Sequence, residues 1–265
     1  MKALVIEALE TCGFREIDEV RPGEGELLLE VRHVALCGSD LSTFKGLNPL
    51  VTLPRIPGHE IGAEIAAVGP GVPADYAVGR RVVVVPYTAC GKCTSCRRGR
   101  FNACRHNATL GVQREGALTE RIVVPWGKVI LEDRLEPRHL ALVEPLSVGF
   151  HAAARGRVTA EDTVLVLGCG MIGLGVVAAA AHRGARVIAV DIGETKLAVA
   201  RAYGAAFTID AVREDVGKRV AELTNDDGVD VAIEAVGTPA TFTQAIDLVA
   251  YSGRVVYVGY CKEPV

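Results

Sequence analysis

From about residue 150 to the last residue, short apolar segments alternate with helical segments. The apolar segments, each of strand length, are residues 164–167, 186–190, 207–209, 229–235 and 254–258. The helical segments are residues 171–183, 194–203, 213–223 and 239–250. Nearly continuous apolar strands are typical of a parallel sheet that is buried on both faces. The alternation therefore predicts a doubly wound α/β domain over residues 151–265, with five strands where the common dinucleotide-binding arrangement has six.

The first predicted strand of this domain runs directly into a glycine-rich turn and then into a helix. The turn has the pattern G-x-G-x-x-G in the required strand–turn–helix setting, and its residues are Gly168, Cys169, Gly170, Met171, Ile172 and Gly173. Gly168 would permit the tight turn, Gly170 the approach of a pyrophosphate, and Gly173 close helix–strand packing. The helix N-terminus would present N–H groups to the phosphates.

A carboxylate at the end of the next predicted strand supports dinucleotide binding. Asp191 follows Gly173 by 18 residues, where a carboxylate can hold the adenosine ribose hydroxyls. It would repel a 2′-phosphate, and no Lys or Arg follows until Lys196. We therefore predict NAD rather than NADP. Taken alone, Asp191 would favour the interpretation of a capping or turn residue.

The first half of the chain is predicted to be rich in β-strands. Short Val/Ile/Leu segments at residues 27–31, 61–68, 81–85 and 118–124 alternate with Gly/Pro turns. Within this half, four cysteines lie in fifteen positions with the spacing C-x₂-C-x₂-C-x₇-C, at Cys90, Cys93, Cys96 and Cys104. Four thiolates satisfy tetrahedral zinc and leave no open position, so we predict a structural zinc lobe over residues 88–106.

Two other metal-binding motifs fit this cysteine spacing less well. The bacterial iron–sulfur motif continues with x₃-C-P, whereas here seven residues separate Cys96 from Cys104 and Arg105 follows. A nucleic-acid-binding zinc ribbon requires two C-x₂-C pairs about 15–20 residues apart. The spacing therefore favours a zinc that stabilises a loop.

A second set of possible metal ligands lies outside this lobe. Cys37 and His59 are suitable zinc ligands, and Glu60 or Glu144 could supply a third. A catalytic zinc needs about three protein ligands and one open position. Distance along the sequence does not show proximity, however, so the residues alone leave open that Cys37 is a small buried apolar residue and His59 an ordinary loop histidine.

Taken together, the motifs resemble those of the zinc-containing medium-chain dehydrogenase/reductase superfamily of alcohol and sorbitol dehydrogenases. The Cys-Gly-Ser-Asp segment at 37–40, the Gly-His-Glu segment at 58–60, the cysteine lobe, the Glu-Pro-Leu-Ser-Val-Gly segment at 144–149 and the glycine-rich turn occur in that superfamily's order. The resemblance implies a GroES-like catalytic domain over residues 1–150 followed by a Rossmann domain, with the active site in the cleft between them.

The resemblance also assigns roles at the catalytic zinc. Cys37 and His59 would hold the metal, and Glu60 would be a ligand or a direct neighbour. Glu144 takes the position of a third cysteine in many alcohol dehydrogenases and resembles the polyol branch, where this residue can act on zinc through water. Asp40 would accept a hydrogen bond from the His59 ring and set its tautomer. Ser39 would hydrogen-bond the alcohol oxygen and begin the exit of its proton.

In the cofactor domain, the resemblance implies ribose contacts at Asp191 and Lys196 and packing behind the nicotinamide at Ile172. Val236, Val258 and Gly259 match other residues that line the cofactor. The chain departs from the family pattern at Ser42, where many members have a relay histidine, and at Ala63, where glycine is usual. Relatives also continue past the equivalent of Val265, so we expect a C-terminally truncated chain that lacks a sixth Rossmann strand and a return segment.

Composition and charge exclude other classes of protein. The net charge is −3, so nucleic acid or an anionic membrane is not an expected partner. Residues 164–181 carry no charge, but four glycines interrupt them, which favours a strand, a turn and a buried helix over a membrane span.

With no secretory signal, we expect a cytoplasmic protein. The resemblance implies a homo-oligomer, a dimer or tetramer, at full length.

These observations predict a zinc-dependent enzyme that transfers hydride between NAD and a secondary alcohol of a polyol, sugar or sugar acid. It would contain one catalytic and one structural zinc. A threonine or butanediol dehydrogenase of the same family is the nearest alternative. A non-catalytic protein that binds zinc and NAD is an alternative from another class.

Overall fold

The computed structural model describes all 265 residues, which form two compact units. The first unit is Met1–Glu144 and the second is Pro145–Val265. The border falls within one helix, Val143–Arg155. No helix of the chain is both long enough and apolar enough to span a bilayer.

The first unit is built mainly from antiparallel strands. Its strands are β1 (Lys2–Ala8), β2 (Thr11–Glu16), β3 (Glu26–Ala35), β4 (Glu60–Val68), β5 (Arg81–Val84), β6 (Arg121–Pro125) and β7 (Val129–Leu131). Its short helices are α1 (Gly38–Phe44), α2 (Thr94–Arg97) and α3 (Pro137–Leu140), with 3₁₀ turns at Phe101–Ala103 and Trp126–Lys128. Strands β1 and β2 form a hairpin, and the other five form a sheet in the order β6-β3-β4-β5-β7.

The sheet of the first unit buries one apolar core. Leu27 and Leu29 of β3, Ile61 and Ile65 of β4 and Val82 of β5 are at most 1% exposed and belong to one cluster. Residues two apart on one strand point to the same face, so alternate positions of these strands supply the core. This unit has the sheet-rich architecture that the sequence predicted.

The second unit is a parallel sheet with helices. After α4 (Val143–Arg155) come β8 (Thr163–Leu167), α5 (Met171–His182), β9 (Arg186–Asp191), α6 (Glu194–Ala202), β10 (Phe207–Asp210), α7 (Val216–Thr224), β11 (Val229–Glu234), α8 (Pro239–Asp247) and β12 (Val249–Tyr257). The strand order is β10-β9-β8-β11-β12, with every pair parallel. The prediction of a five-stranded Rossmann sheet is confirmed, although β12 begins five residues earlier than predicted.

Both faces of this sheet are buried, as its apolar strands indicated. Val164 and Val166 of β8 lie in one apolar cluster, and Leu165 and Leu167 lie in another. The sheet also has a topological switch. The chain moves outward from β8 through β9 to β10 and then returns to the other side of β8 with β11. Doubly wound sheets bind ligands outside the carboxyl ends of the strands at such a point.

Candidate metal centres and cofactor turn

The four cysteines of the zinc lobe lie together, and none forms a disulfide. The sulfur atoms of Cys90, Cys93, Cys96 and Cys104 all lie within 4.8 Å of one another. Tetrahedral zinc with Zn–S bonds of about 2.3 Å would separate its sulfurs by about 3.8 Å, and the Cys93 and Cys104 sulfurs are 4.0 Å apart. The donor set therefore fits one closed tetrahedral site.

Backbone N–H groups favour the thiolate of Cys93, whereas burial raises the pKa of Cys96 to about 12. The N–H groups of Cys96 and Arg105 lower the pKa of Cys93 to about 6. Two N–H groups, those of Cys90 and His106, each lie 3.3 Å from the Cys104 sulfur and donate to it. Donors aimed at sulfur stabilise the charged form that binds metal.

Replacing Cys93 with serine is expected to destabilise the lobe, because metal binding at such a site is coupled to folding. We expect loss of the lobe zinc and a melting temperature lower by at least ~5 °C, since 1 kcal/mol corresponds to about 2–4 °C in a chain of this size. Metal analysis and a thermal melt measure both effects. Cys12→Ser, at an exposed cysteine outside both metal centres, is the matched control. Full metal content with an unchanged melt would contradict a structural zinc.

A second donor group lies where β3 and β4 pair. Ala35 at the end of β3 pairs with Glu60 at the start of β4, so the antiparallel pairing brings Cys37 and His59 to the same end of the two strands. The Cys37 sulfur, a His59 ring nitrogen and a Glu60 oxygen lie within 4.8 Å of one another. We call these three residues the Cys37–His59–Glu60 group.

Gly58 and Asp40 fix the backbone around this group. Gly58 has φ +102°, and a Cβ there would lie 2.8 Å from a Val34 methyl carbon, so only glycine fits the turn into His59. The Asp40 carboxylate accepts hydrogen bonds from the N–H groups of Cys37 and Gly58, at 2.9 and 3.3 Å. Cys37 is the N-cap of α1. Asp40 therefore holds together the two backbone segments that present the ligands.

The predicted hydrogen bond between His59 and Asp40 is absent. His59 Nδ1 lies 3.8 Å from Asp40 Oδ1, which is too far for a hydrogen bond, and this buried nitrogen has no hydrogen-bond partner. The physical reason is that the Asp40 carboxylate is oriented by the two backbone N–H groups. Asp40 still acts on His59 through its charge.

His59 and Glu60 are buried, Cys37 is half-buried, and the three side chains are electrostatically coupled. Burial would lower the pKa of His59, but a hydrogen bond with Cys37 and the charge of Asp40 raise that pKa to about 9. Burial would likewise raise the pKa of Cys37, yet hydrogen bonds from His59 and Ser39 hold it below its usual value. Burial raises the pKa of Glu60. Buried ionisable groups are paired or coordinate metal ions, and thiolate, imidazole and carboxylate are zinc ligands.

Glu144 lies close to this group but is not part of it. It is 8% exposed, and its charge acts on both His59 and Glu60. Its carboxylate instead accepts a hydrogen bond from the hydroxyl of Tyr87. Burial, this hydrogen bond and the charges of Cys37 and Glu60 raise the pKa of Tyr87. Tyr87 was not among the residues selected from the sequence, because a tyrosine after a strand belongs to no motif.

The glycine-rich turn joins β8 to α5 at the topological switch. Gly168 has φ +94°, and a Cβ on Gly173 would lie 1.8 Å from the Gly168 carbonyl oxygen. Both positions therefore require glycine. A Cβ on Gly170, the N-cap of α5, would meet no protein atom within 4 Å. The N-terminus of α5 is thus accessible to a phosphate.

Asp191, at the end of β9, is bonded to this turn. Its Oδ2 accepts a hydrogen bond of 2.7 Å from the Cys169 N–H. Its Oδ1 accepts from the N–H groups of Ile192 and Gly193, and Lys196 Nζ lies 3.3 Å away. Asp191 therefore caps the turn after β9, and its carboxylate is also placed beside the glycine-rich turn. The capping and cofactor interpretations are compatible.

The remaining predicted cofactor residues lie at the carboxyl ends of the central strands. A Cβ on Gly168 would meet a Val236 methyl carbon at 2.7 Å, and one on Gly259 would meet the Gly237 nitrogen at 2.4 Å. The turns after β8, β11 and β12 therefore converge. Val236 and Met171 are 49% and 43% exposed, whereas Ile172 and Val258 are half-buried.

The sequence analysis also missed Glu234, which is fully buried at the end of β11. Its Oε1 accepts hydrogen bonds from the N–H groups of Val236 and Gly237, both at 2.8 Å, and from the Thr241 hydroxyl at 2.7 Å. Glu234 thus shapes the turn after β11. One carboxylate at the end of an apolar segment gave no signal of this role.

Family comparisons agree with both units. A model of the alcohol dehydrogenase GroES-like domain matches residues 23–133, and a zinc-binding dehydrogenase model matches residues 172–265. Sorbitol dehydrogenase of Bacillus subtilis (strain 168) is 37% identical over 98% of this chain and 75% of its own length. The chain therefore belongs to the zinc-type medium-chain dehydrogenase/reductase family of oxidoreductases.

Two further curated relatives act on different substrates by name. L-galactonate-5-dehydrogenase of Escherichia coli (strain K12) is 30% identical over 99% of this chain and 77% of its own length. L-threonine 3-dehydrogenase of Pyrococcus abyssi is 34% identical over 92% of this chain and 71% of its own length. Membership of the family therefore does not define the substrate.

Solved structures show the same fold. A zinc-binding dehydrogenase of Sinorhizobium meliloti 1021, bound to NADP, matches with a TM-score of 0.92 and 33% identity, over 100% of this chain and 78% of its own. An Escherichia coli CFT073 alcohol dehydrogenase complexed with NADH matches with a TM-score of 0.91 and 31% identity, over 100% of this chain and 77% of its own. The 2R,3R-butanediol dehydrogenase of Bacillus subtilis matches with a TM-score of 0.89 and 30% identity, over 100% of this chain and 78% of its own.

Proposed function

We propose that this protein is a zinc-dependent, NAD-linked dehydrogenase that oxidises a secondary alcohol of a polyol, sugar or sugar acid. The observation that carries the proposal is the Cys37–His59–Glu60 group, in which a sulfur, a nitrogen and an oxygen donor lie within 4.8 Å of one another. Three such ligands leave the fourth position of a tetrahedral zinc for substrate. The closed four-cysteine lobe would hold a second, structural zinc.

Zinc held by this group would polarise the alcohol oxygen and lower the pKa of its hydroxyl. Ser39 lies at the start of α1, two residues from Cys37, and its backbone and hydroxyl lower the pKa of the Cys37 thiol. We assign to Ser39 the first step in removing the alcohol proton. Asp40 holds the backbone around Cys37 and Gly58 and so keeps the ligands in register.

The bound nicotinamide would accept hydride from the alcohol carbon. The open approach to Gly170 supports pyrophosphate binding at the start of α5. Asp191 supports NAD, because its carboxylate would accept hydrogen bonds from the ribose hydroxyls and repel a 2′-phosphate. Lys196 offsets part of that charge, and the Sinorhizobium meliloti relative was solved with NADP. The choice of coenzyme therefore needs its own test.

Replacing Asp191 with alanine is expected to weaken NAD binding by about tenfold or more, since a hydrogen bond to a charged group contributes about 1.5–3 kcal/mol. NADP binding should weaken less, so the ratio of the affinity for NAD to the affinity for NADP should fall. Asp191→Asn removes the charge but keeps an acceptor for the Cys169 N–H, so it distinguishes the effect of the charge from the effect of a disturbed turn. Asp247→Ala, at an exposed helical position, is the control. Titrations with both coenzymes measure the effect, and tighter NADP binding by the unmodified protein would refute the assignment.

A threonine or butanediol dehydrogenase is the second candidate, favoured by the relatives from Pyrococcus abyssi and Bacillus subtilis. Sorbitol, galactonate, threonine, 2,3-butanediol and ethanol should be compared as substrates with NAD, with NADH formation as the readout. We expect a polyol or sugar acid to give the highest kcat/KM. A higher value for threonine or butanediol would replace the proposal by the second candidate.

A further inference from the structure

Tyr87 lies beside the proposed metal site although no sequence motif contains it. It follows β5 by three residues and is half-buried. Its hydroxyl donates a hydrogen bond to Oε1 of Glu144, which is 57 residues away along the chain. Tyr87 therefore joins the loop before the cysteine lobe to the start of α4.

The same phenol is within electrostatic reach of the metal ligands. The charges of Cys37 and Glu60 both act on Tyr87, as does that of Glu144. These three residues come from different segments of the first unit. Tyr87 is therefore close enough to Cys37 and Glu60 for their charges to act on its hydroxyl, and its hydrogen bond to Glu144 is the direct contact.

The position of Glu144 is the feature that Tyr87 explains. Donor atoms of Cys37, His59 and Glu60 lie within 4.8 Å of one another, and Glu144 is not part of that set. One of its carboxylate oxygens accepts the hydrogen bond from Tyr87. A carboxylate that approached zinc directly would give up this bond and occupy the position that substrate needs.

We propose that Tyr87 is a positioning residue that holds Glu144 next to the metal but out of direct ligation, which keeps one coordination position open. The inference rests on the proposed function, because it requires a metal in the Cys37–His59–Glu60 group. In this proposal, the hydrogen bond from the Tyr87 hydroxyl decides whether Glu144 contacts the metal through water or directly.

The test replaces Tyr87 with phenylalanine and follows cobalt in place of zinc. Zinc is a d¹⁰ ion without d–d absorption, whereas the visible spectrum of cobalt(II) reports its coordination number. Cobalt is loaded into the Cys37–His59–Glu60 group while zinc stays in the cysteine lobe. In Tyr87→Phe we expect the d–d bands to shift, because a carboxylate oxygen of Glu144 would take the coordination position that is otherwise left for water or substrate. We also expect cobalt release to a chelator to slow by about tenfold, a typical size for an outer-shell effect.

Three further variants make the result specific. Tyr87→Met also lacks the hydroxyl and should give the same change in the cobalt spectrum. This second variant controls for a folding defect caused by phenylalanine itself. Tyr76→Phe, at a half-buried tyrosine whose hydroxyl faces the Val129 carbonyl, should give no such change. In a Glu144→Ala background, Tyr87→Phe should change neither spectrum nor release rate, because the two residues act as one unit.

Two results would overturn the inference, and they are distinguishable. If cobalt binds the unmodified protein but neither its spectrum nor its release rate changes in Tyr87→Phe and Tyr87→Met, only the role proposed for Tyr87 is wrong. The same holds if the effect persists in Glu144→Ala. If no metal binds outside the cysteine lobe in the unmodified protein, the proposed function fails and the inference fails with it.

Discussion

Replacing His59 with alanine is expected to remove one zinc per chain and to reduce alcohol oxidation by at least a thousandfold. His59 is 6% exposed and belongs to the Cys37–His59–Glu60 group, so alanine leaves two of three ligands. A metal that polarises the reacting oxygen contributes several kcal/mol to the barrier, and about 4 kcal/mol corresponds to a thousandfold. Metal analysis and steady-state kinetics measure the two effects.

Cys37→Ser should behave in the same way, while the zinc of the cysteine lobe remains bound in both variants. His33→Ala, at an exposed position on β3, is the control and should change neither quantity. A His59→Ala protein with unchanged zinc content and unchanged turnover would show that this group holds no catalytic metal.

Replacing Glu144 with alanine is expected to lower kcat by about 10–100-fold, the range seen when residues around a metal site are removed. NAD binding should be nearly unchanged, because the predicted cofactor contacts lie in the unit Pro145–Val265. Substrates with adjacent hydroxyls should still be preferred to ethanol. Kinetics, coenzyme titration and a melting curve on the same variant measure these effects.

The competing explanation is that Glu144 only stabilises the start of α4. In that case Glu144→Ala would lower the melting temperature and leave kcat unchanged. Glu161→Ala, at an exposed carboxylate of the second unit, should affect neither quantity and controls for the loss of a charge.

Features set by local chain geometry could be predicted from the sequence. Gly168 and Gly173 are required by a positive φ and by a close backbone contact, and both follow from the strand–turn–helix pattern. The four cysteines lie in one short loop, so their spacing alone brought them together. The alternation of strands and helices predicted the parallel sheet, because each strand must be apolar on both faces.

Features that depend on tertiary contacts could not be predicted. The hairpin β1–β2 was missed because β2 carries no buried apolar face. The Tyr87–Glu144 contact joins residues far apart along the chain, and no spacing rule relates them. The resemblance placed Asp40 near His59, but the orientation of the carboxylate is set by the N–H groups of Cys37 and Gly58.

The central claim is that a second zinc, bound outside the cysteine lobe, is required for alcohol oxidation. The most direct test is to count zinc per chain while a chelator removes it in steps, with NADH formation from the best polyol measured at each step. We predict two zinc ions per chain, one for each donor group, and activity that falls with loss of the Cys37–His59–Glu60 zinc while the lobe zinc remains. One zinc per chain, or activity that persists after that zinc is lost, would contradict the account.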